Sequence, residues 1–253
     1  MMIPAYHESL LSQLYPGQQH SSNCLTPAVL TFEERLCLPS EHRAKVVWRL
    51  DRGFGGDENI NWLLERDYQV LAKGCSHRRT AKLVGLVQRW RQVRADRFIG
   101  CAPTLGRFSR PVETFVIRYH TNTGWKHAYL LSTLHLGGPR TLELYDQRGA
   151  AEIEFRTDKS GGLFLDKRRK HKRDAQEAWV ILTDMAHNYL AFFARTYLAN
   201  SPFATYGPLR IGRDLMRIPG FVHMEADRLL SVKLLKSSPL TSALLPCLER
   251  FWE

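Results

Sequence analysis

Residues 46–74 read VVWRLDRGFGGDENINWLLERDYQVLAKG. The run VVWRL is apolar with β-branched residues, as in a strand packed into a core. After the turn, DENINWLLERD opens with Asp57 and Glu58, where negative charge favours a first helical turn, and sets Trp62 and Leu63 on one face. YQVLA then reads as a second strand. Strand, helix and strand in so short a span make a βαβ unit, whose two strands run parallel, and so place the chain in the α/β class. Asp51 stands at the carboxyl end of the first strand, with Arg52 between it and Gly-Phe-Gly-Gly. Open α/β sheets put ligand-binding groups at that end. By residue type alone two readings of Asp51 stay open: a turn former or helix cap, and a metal ligand.

Outward from this unit, residues 26–38 (TPAVLTFEERLCL) predict a helix with Thr26 as N-cap and Pro27 at the first helical position. Residues 76–97 carry seven Lys or Arg and one acid. Residues 111–136 are β-rich, with a hairpin signal at TNTG (residues 121–124). Residues 140–162 (RTLELYDQRGAAEIEFRTDKSGG) read as a strand passing into a helix. In residues 174–198, Trp179, Leu182, Ala186, Tyr189 and Phe193 recur at spacings of three and four, predicting an amphipathic helix. Residues 212–235 alternate like a hairpin, and SALLPCLERFW (residues 242–252) closes as a short helix. With no repeat or low-complexity linker between them, the β-rich section reads as an insertion inside an α/β domain.

The 253 residues are 44% hydrophobic and 24% charged, enough for a proper core. The charge is lopsided: 36 Lys and Arg against 25 Asp and Glu, a formal net charge of +11. Such a surplus favours a polyanion, nucleic acid or an anionic membrane surface. No apolar run approaches the roughly 18 residues that span a bilayer, so no membrane partner is expected. The N-terminal sequence lacks the basic start and apolar stretch of a secretory signal. Cys24, Cys37, Cys75, Cys101 and Cys247 are scattered without a CxxC pair, as reduced cytosolic thiols are.

Tyr145, Arg148, Glu152 and Lys159 stand at offsets of three, four and seven. On a helix these share one stripe. A tyrosine, two cations and a carboxylate make a poor core and a sensible active-site face, with the carboxylate for Mg²⁺ and the cations for phosphates. The Arg148–Glu152 pair also fits an ordinary surface ion pair, and KRRKHKR (residues 167–173) fits a solvated basic loop.

YDQRGAAEIEFRTDK (residues 145–159) matches Y-x₂-R-x₃-E-x₆-K at every fixed position. VVWRLDRGFGG resembles the segment carrying the second catalytic aspartate of the same group, and MAHNYL (residues 185–190) lies in an apolar helix after the glutamate, as the group also shows. From about residue 14 to its end, the chain therefore resembles bacterial insertion-sequence transposases of the DDE type, in the cut-and-paste group with that signature. The resemblance implies a ribonuclease-H-like core with a β-rich insertion between the second catalytic Asp and the catalytic Glu. In segments, residues 1–100 would be the first part of the core, 101–140 the insertion, 141–200 the rest of the core with the glutamate helix, and 201–253 a tail. It further implies a two-ion Mg²⁺ or Mn²⁺ site, with Asp51 and Glu152 as catalytic metal ligands. Tyr145, Arg148 and Lys159, joined by the basic run at Lys167, Arg168 and Arg169, would hold DNA. Trp125 would be a base-stacking residue or a buried hairpin tryptophan. The partners would be double-stranded DNA, as element ends and target, and a second copy in a synaptic complex, at the nucleoid in the cytoplasm.

One departure stands out. The group's triad begins with an upstream aspartate, and residues 1–50 contain none; their acids are Glu8, Glu33, Glu34 and Glu41. The expectation from sequence is a truncated copy, either retaining DNA cleavage and joining or reduced to DNA binding.

Overall fold

A computed structural model of the chain describes residues 1–3, 6–149, 163 and 170–250. The chain divides into two compact units, residues 15–149 and residues 1–14 with 150–253.

The first unit is built on a mixed six-stranded sheet. Its strands are β3 (Val47–Leu50), β4 (Gln69–Lys73), β5 (Arg91–Arg94), β6 (Arg97–Ala102), β7 (Glu113–Thr121) and β8 (Gly124–Ser132), in the order β3-β4-β8-β7-β6-β5. β3 and β4 are parallel, Val47 opposite Gln69 and Leu50 opposite Ala72, joined through helix α2 (Asp57–Glu65). This is the expected βαβ unit, and α2 buries Ile60, Leu63 and Leu64. β3 is an edge strand, however, fully buried only at Leu50. Every other pairing is antiparallel. β7 and β8 form the hairpin foreseen at TNTG, closing with Thr121 opposite Gly124. Strands 91–132 thus extend one sheet together with β3 and β4.

Two glycines let the βαβ turn close. A Cβ at Gly55 would lie 1.9 Å from the Lys73 carbonyl oxygen, and one at Gly74 would lie 1.9 Å from the Tyr129 ring. The Gly-Phe-Gly-Gly turn after Asp51 therefore packs directly on the end of β4.

Helix α1 (Leu25–Arg35) forms where expected but begins before Thr26, continuing from a 3₁₀ turn (Ser21–Cys24). Its Glu33 is almost fully buried and takes ion pairs from Arg43 and Arg66 and a 2.6 Å hydrogen bond from the Tyr68 hydroxyl. Burial alone would raise the Glu33 pKa, but the Arg66 and Tyr68 hydrogen bonds outweigh it and hold the carboxyl below its ordinary value. Trp48 lies edge-on to Phe32 and Tyr68, at 5.2 and 5.6 Å. The basic stretch after β4 forms helix α3 (His77–Leu86), capped by Ser76, whose hydroxyl accepts from the Arg79 amide. Arg79 grips Asp57 with two 2.6 Å bonds, so that carboxylate serves an ion pair and does not cap α2.

The expected strand at residues 140–145 is a helix, α4 (Gly138–Asp146). Leu142, Glu143 and Leu144 alternate as in a strand, but Gly138, Thr141, Leu142 and Tyr145 are the buried set, at the i, i+3, i+4, i+7 spacing of a helix. Pro139 in the first turn starts it. α4 covers one face of the sheet, with Leu142 and Tyr145 packed among Leu71, Ile99, Phe115, Ile117 and Leu130.

The second unit holds a short pair of strands, β1 (Met2–Ile3) and β2 (Glu8–Ser9), helix α5 (Arg173–Phe193), the hairpin β9 (Gly220–Glu225) with β10 (Arg228–Leu234), and helix α6 (Thr241–Glu249). Leu198, Phe203, Ile211, Leu215, Leu244 and Cys247 form its core. Of the expected apolar stripe of α5, Phe193 packs against that core, but two members face solvent. Leu182 is 59% exposed and Tyr189 70%, while Val180, Thr183 and His187 are buried. The reason is polar: the Ser9 amide donates to Asn188 Oδ1, Asn188 Nδ2 donates to Ser9 O, and His187 Nε2 donates to His7 O, each at 2.7 Å.

Candidate active site

At the end of β3 the backbone turns through a 3₁₀ segment (Arg52–Phe54), with the Phe54 amide donating to Asp51 O at 2.9 Å. The Asp51 side chain makes no capping hydrogen bond to that turn. The turn is made by backbone and glycine, which removes the capping reading and leaves the carboxylate to other partners. Those partners come from α4 and the residues just after it. Tyr145 Oη donates to Asp51 Oδ1 over 3.4 Å, and Arg148 Nη2 lies 3.7 Å from the same oxygen. Both distances are long for tight bonds, and Asp51 is 48% exposed, so the carboxylate is held on one side and open to solvent on the other.

The three-residue spacing of Tyr145 and Arg148 thus brings both to Asp51, and the Arg148 guanidinium lies 5.5 Å from the Tyr145 ring centre. Burial pushes the Tyr145 hydroxyl up to about 12, with Arg148 opposing and Asp51 reinforcing the shift. It therefore stays protonated and can donate a hydrogen bond at neutral pH. Glu152, Lys159, Lys167, Arg168 and Arg169 lie outside the described residues.

Sequence reasoning passed over Arg49. It lies two residues before Asp51 on β3, hence on the same face. Its Nη1 donates to the Leu144 carbonyl at 3.0 Å. Alternation along the strand, counted back from Asp51, would have found it.

Among the described residues, no three His, Cys, Asp or Glu side chains gather within reach of one metal ion. Asp51 offers hard carboxylate oxygens, partly solvated, which suit Mg²⁺ with water completing its shell. The described part of the site would offer a metal that one carboxylate. A recess of about 410 Å³ beside α4 is lined by Arg94, Arg140, Glu143 and Asp146 among others, and does not include Asp51. Both acids there are engaged by cations, Asp146 with Arg97 and Glu143 with Arg140.

On the β6–β8 part of the sheet, Trp125 is 45% exposed and not the buried hairpin tryptophan. The Arg118 guanidinium lies 4.4 Å from its ring centre, 5.0 Å from Phe98 and 5.9 Å from Trp90. Burial and the Arg118 charge lower the pKa of the neighbouring His127.

A strand-end carboxylate answered by the tyrosine and arginine of one signature agrees with the comparison to known families. The family model described as transposase DDE domain matches residues 4–189. The chain belongs to the transposase DDE domain family. The matched span of this transposase domain includes Asp51, Tyr145, Arg148 and the stretch through Glu152 and Lys159. No curated protein matches the chain. No described helix is long and apolar enough to cross a membrane.

Proposed function

We propose that this transposase domain acts on double-stranded DNA by metal-dependent cleavage and transfer of strands, with Asp51 and Glu152 as the catalytic metal ligands. The observation that carries this reading is the Asp51 carboxylate, unused by its own turn and facing the Tyr145 hydroxyl and Arg148 guanidinium. A divalent ion held by Asp51 and Glu152, Mg²⁺ or Mn²⁺, would polarise the scissile phosphate and activate the attacking oxygen. The protein's own part is positional and electrostatic. Arg148 and Lys159 neutralise charge on the phosphate. Tyr145, protonated at neutral pH, donates a hydrogen bond in the same neighbourhood. Lys167, Arg168 and Arg169 add backbone contacts, and the exposed Trp125 offers a stacking face.

The sheet of residues 47–132 is read as a ribonuclease-H-like core with its β-rich insertion, in the segments 1–100, 101–140, 141–200 and 201–253. The working form is a homodimer holding two element ends at the nucleoid.

Asp51→Asn tests the assignment. Nicking of element-end DNA in Mg²⁺ by the native chain, lost in the variant while DNA affinity holds, supports it. A second reading rests on the absence of any aspartate in residues 1–50: a domain that binds DNA without cutting it. DNA binding without nicking in both forms would favour that reading. In either case affinity should fall with salt at a log–log slope of about −0.9 per phosphate contacted, and a flat response would overturn both.

A further inference from the structure

The end of α4 carries Tyr145, with Arg148 just beyond it, so whatever fixes that end fixes both groups against Asp51. The last four carbonyls of any helix lack intrahelical partners. Here Glu143 O receives the Gln147 amide and Tyr145 O receives the Arg148 amide. Leu144 O receives the Arg49 guanidinium instead, at 3.0 Å. Arg49 is on β3, two residues from Asp51 and on the same face of the strand. One side chain thus ties the strand that presents the carboxylate to the helix end that presents its two partners. A cation at a helix C-terminus is also favoured by the helix dipole. From the far side of the sheet order, Arg97 of β6 engages Asp146, the last residue of α4.

We propose that Arg49 is a positioning residue of the site: its bond to the Leu144 carbonyl sets the Tyr145 hydroxyl and the Arg148 guanidinium against Asp51. The proposal deepens the reading of this site as the DNA-processing centre and rests on it for its functional meaning. Phosphate contacts need not involve Arg49, because its described hydrogen bond goes to backbone.

The test is a double-mutant cycle on the full chain. The folding equilibria of the native protein, Asp51→Asn, Tyr145→Phe and the double variant give the coupling between the two side chains. It is expected on the order of threefold in the folding equilibrium constant. In an Arg49→Met background that coupling falls to one, and in an Arg49→Lys background it is at least partly restored. A merely stabilising Arg49 would lower all four corners alike and leave the coupling intact, which would overturn the proposal. Should the methionine background fail to fold, the cycle is repeated in an Arg49→Gln background: a coupling unchanged from the native one overturns positioning, and a weakened one supports it. Binding to a 30-base-pair duplex is followed in parallel. Arg49→Met should weaken it as much as Arg148→Met does, with no further loss when the two are combined. Absence of any salt-dependent DNA binding by the native chain would sink the functional reading, while the folding cycle would still decide the role of Arg49.

Discussion

Helices α2 and α5 are both plain in the sequence, and the structure treats them in opposite ways. α2 sends Ile60, Leu63 and Leu64 into the core of its unit. α5 turns Leu182, Met185, Tyr189 and Phe192 outward and buries Val180, Thr183 and His187. Periodicity reports which side chains share a face. It does not report what covers that face. For α2 the cover is written close by, in the two strands it connects. For α5 the partner within its unit is the segment of residues 7–9, whose backbone bonds to His187 and Asn188 and whose Ser9 hydroxyl donates to Asp184. The polar side of α5 is therefore its inner side there.

This contrast can be broken or sharpened by substitution. The largest effect should come from Leu63→Ala, which opens a cavity beneath α2 and should cost about 3 kcal/mol by denaturant unfolding. Next comes Glu33→Gln, which leaves Arg43 and Arg66 short of their common partner. Because both arginines keep some solvent, we expect about 2 kcal/mol, below the loss for a fully buried pair. The pH dependence has a definite sign. The folded Glu33 pKa lies below its unfolded value, so its contribution is present above about pH 4.3 and is lost as pH falls through the folded pKa. Glu33→Gln should therefore flatten the acid limb of the stability curve.

Tyr145→Phe should cost about 1 kcal/mol, the worth of one hydroxyl bond. It should also remove the phenol that ionises near pH 12, seen by ultraviolet titration. With its pKa raised on folding, Tyr145 contributes stability that is present below pH 10 and declines above it. The smallest effects should come from Leu182→Ala and Tyr189→Ala, each within about 0.5 kcal/mol. A loss of 2 kcal/mol or more at either position, measured on the isolated chain, would mean that the outward face of α5 is covered in solution and would erase the contrast.

The legibility of the site follows the same logic. β3, the glycine turn and α2 were readable because each is specified by neighbours in sequence. The pairing of Tyr145 and Arg148 was readable from their spacing, although residues 140–145 looked like a strand. Leu142 and Leu144 flank Glu143 in a period of two that hides the longer period running through Gly138, Thr141, Leu142 and Tyr145. The partners of Asp51 and the strap from Arg49 were not readable as contacts. Both join residues about 95 positions apart, and only the stacking of α4 on the sheet brings them together.

The cysteines acquire a use from their placement. Cys37, Cys75 and Cys101 are exposed and Cys24 is partly so, all within residues 15–149, whereas Cys247 is buried against the core of the other unit. A thiol reagent added to the folded chain should therefore consume the first three quickly. It should then wait on the opening of α6 before reaching Cys247. The protein carries its own chemical clock, and the lag before the last sulfur reacts times the breathing of the unit that lies mostly beyond the signature.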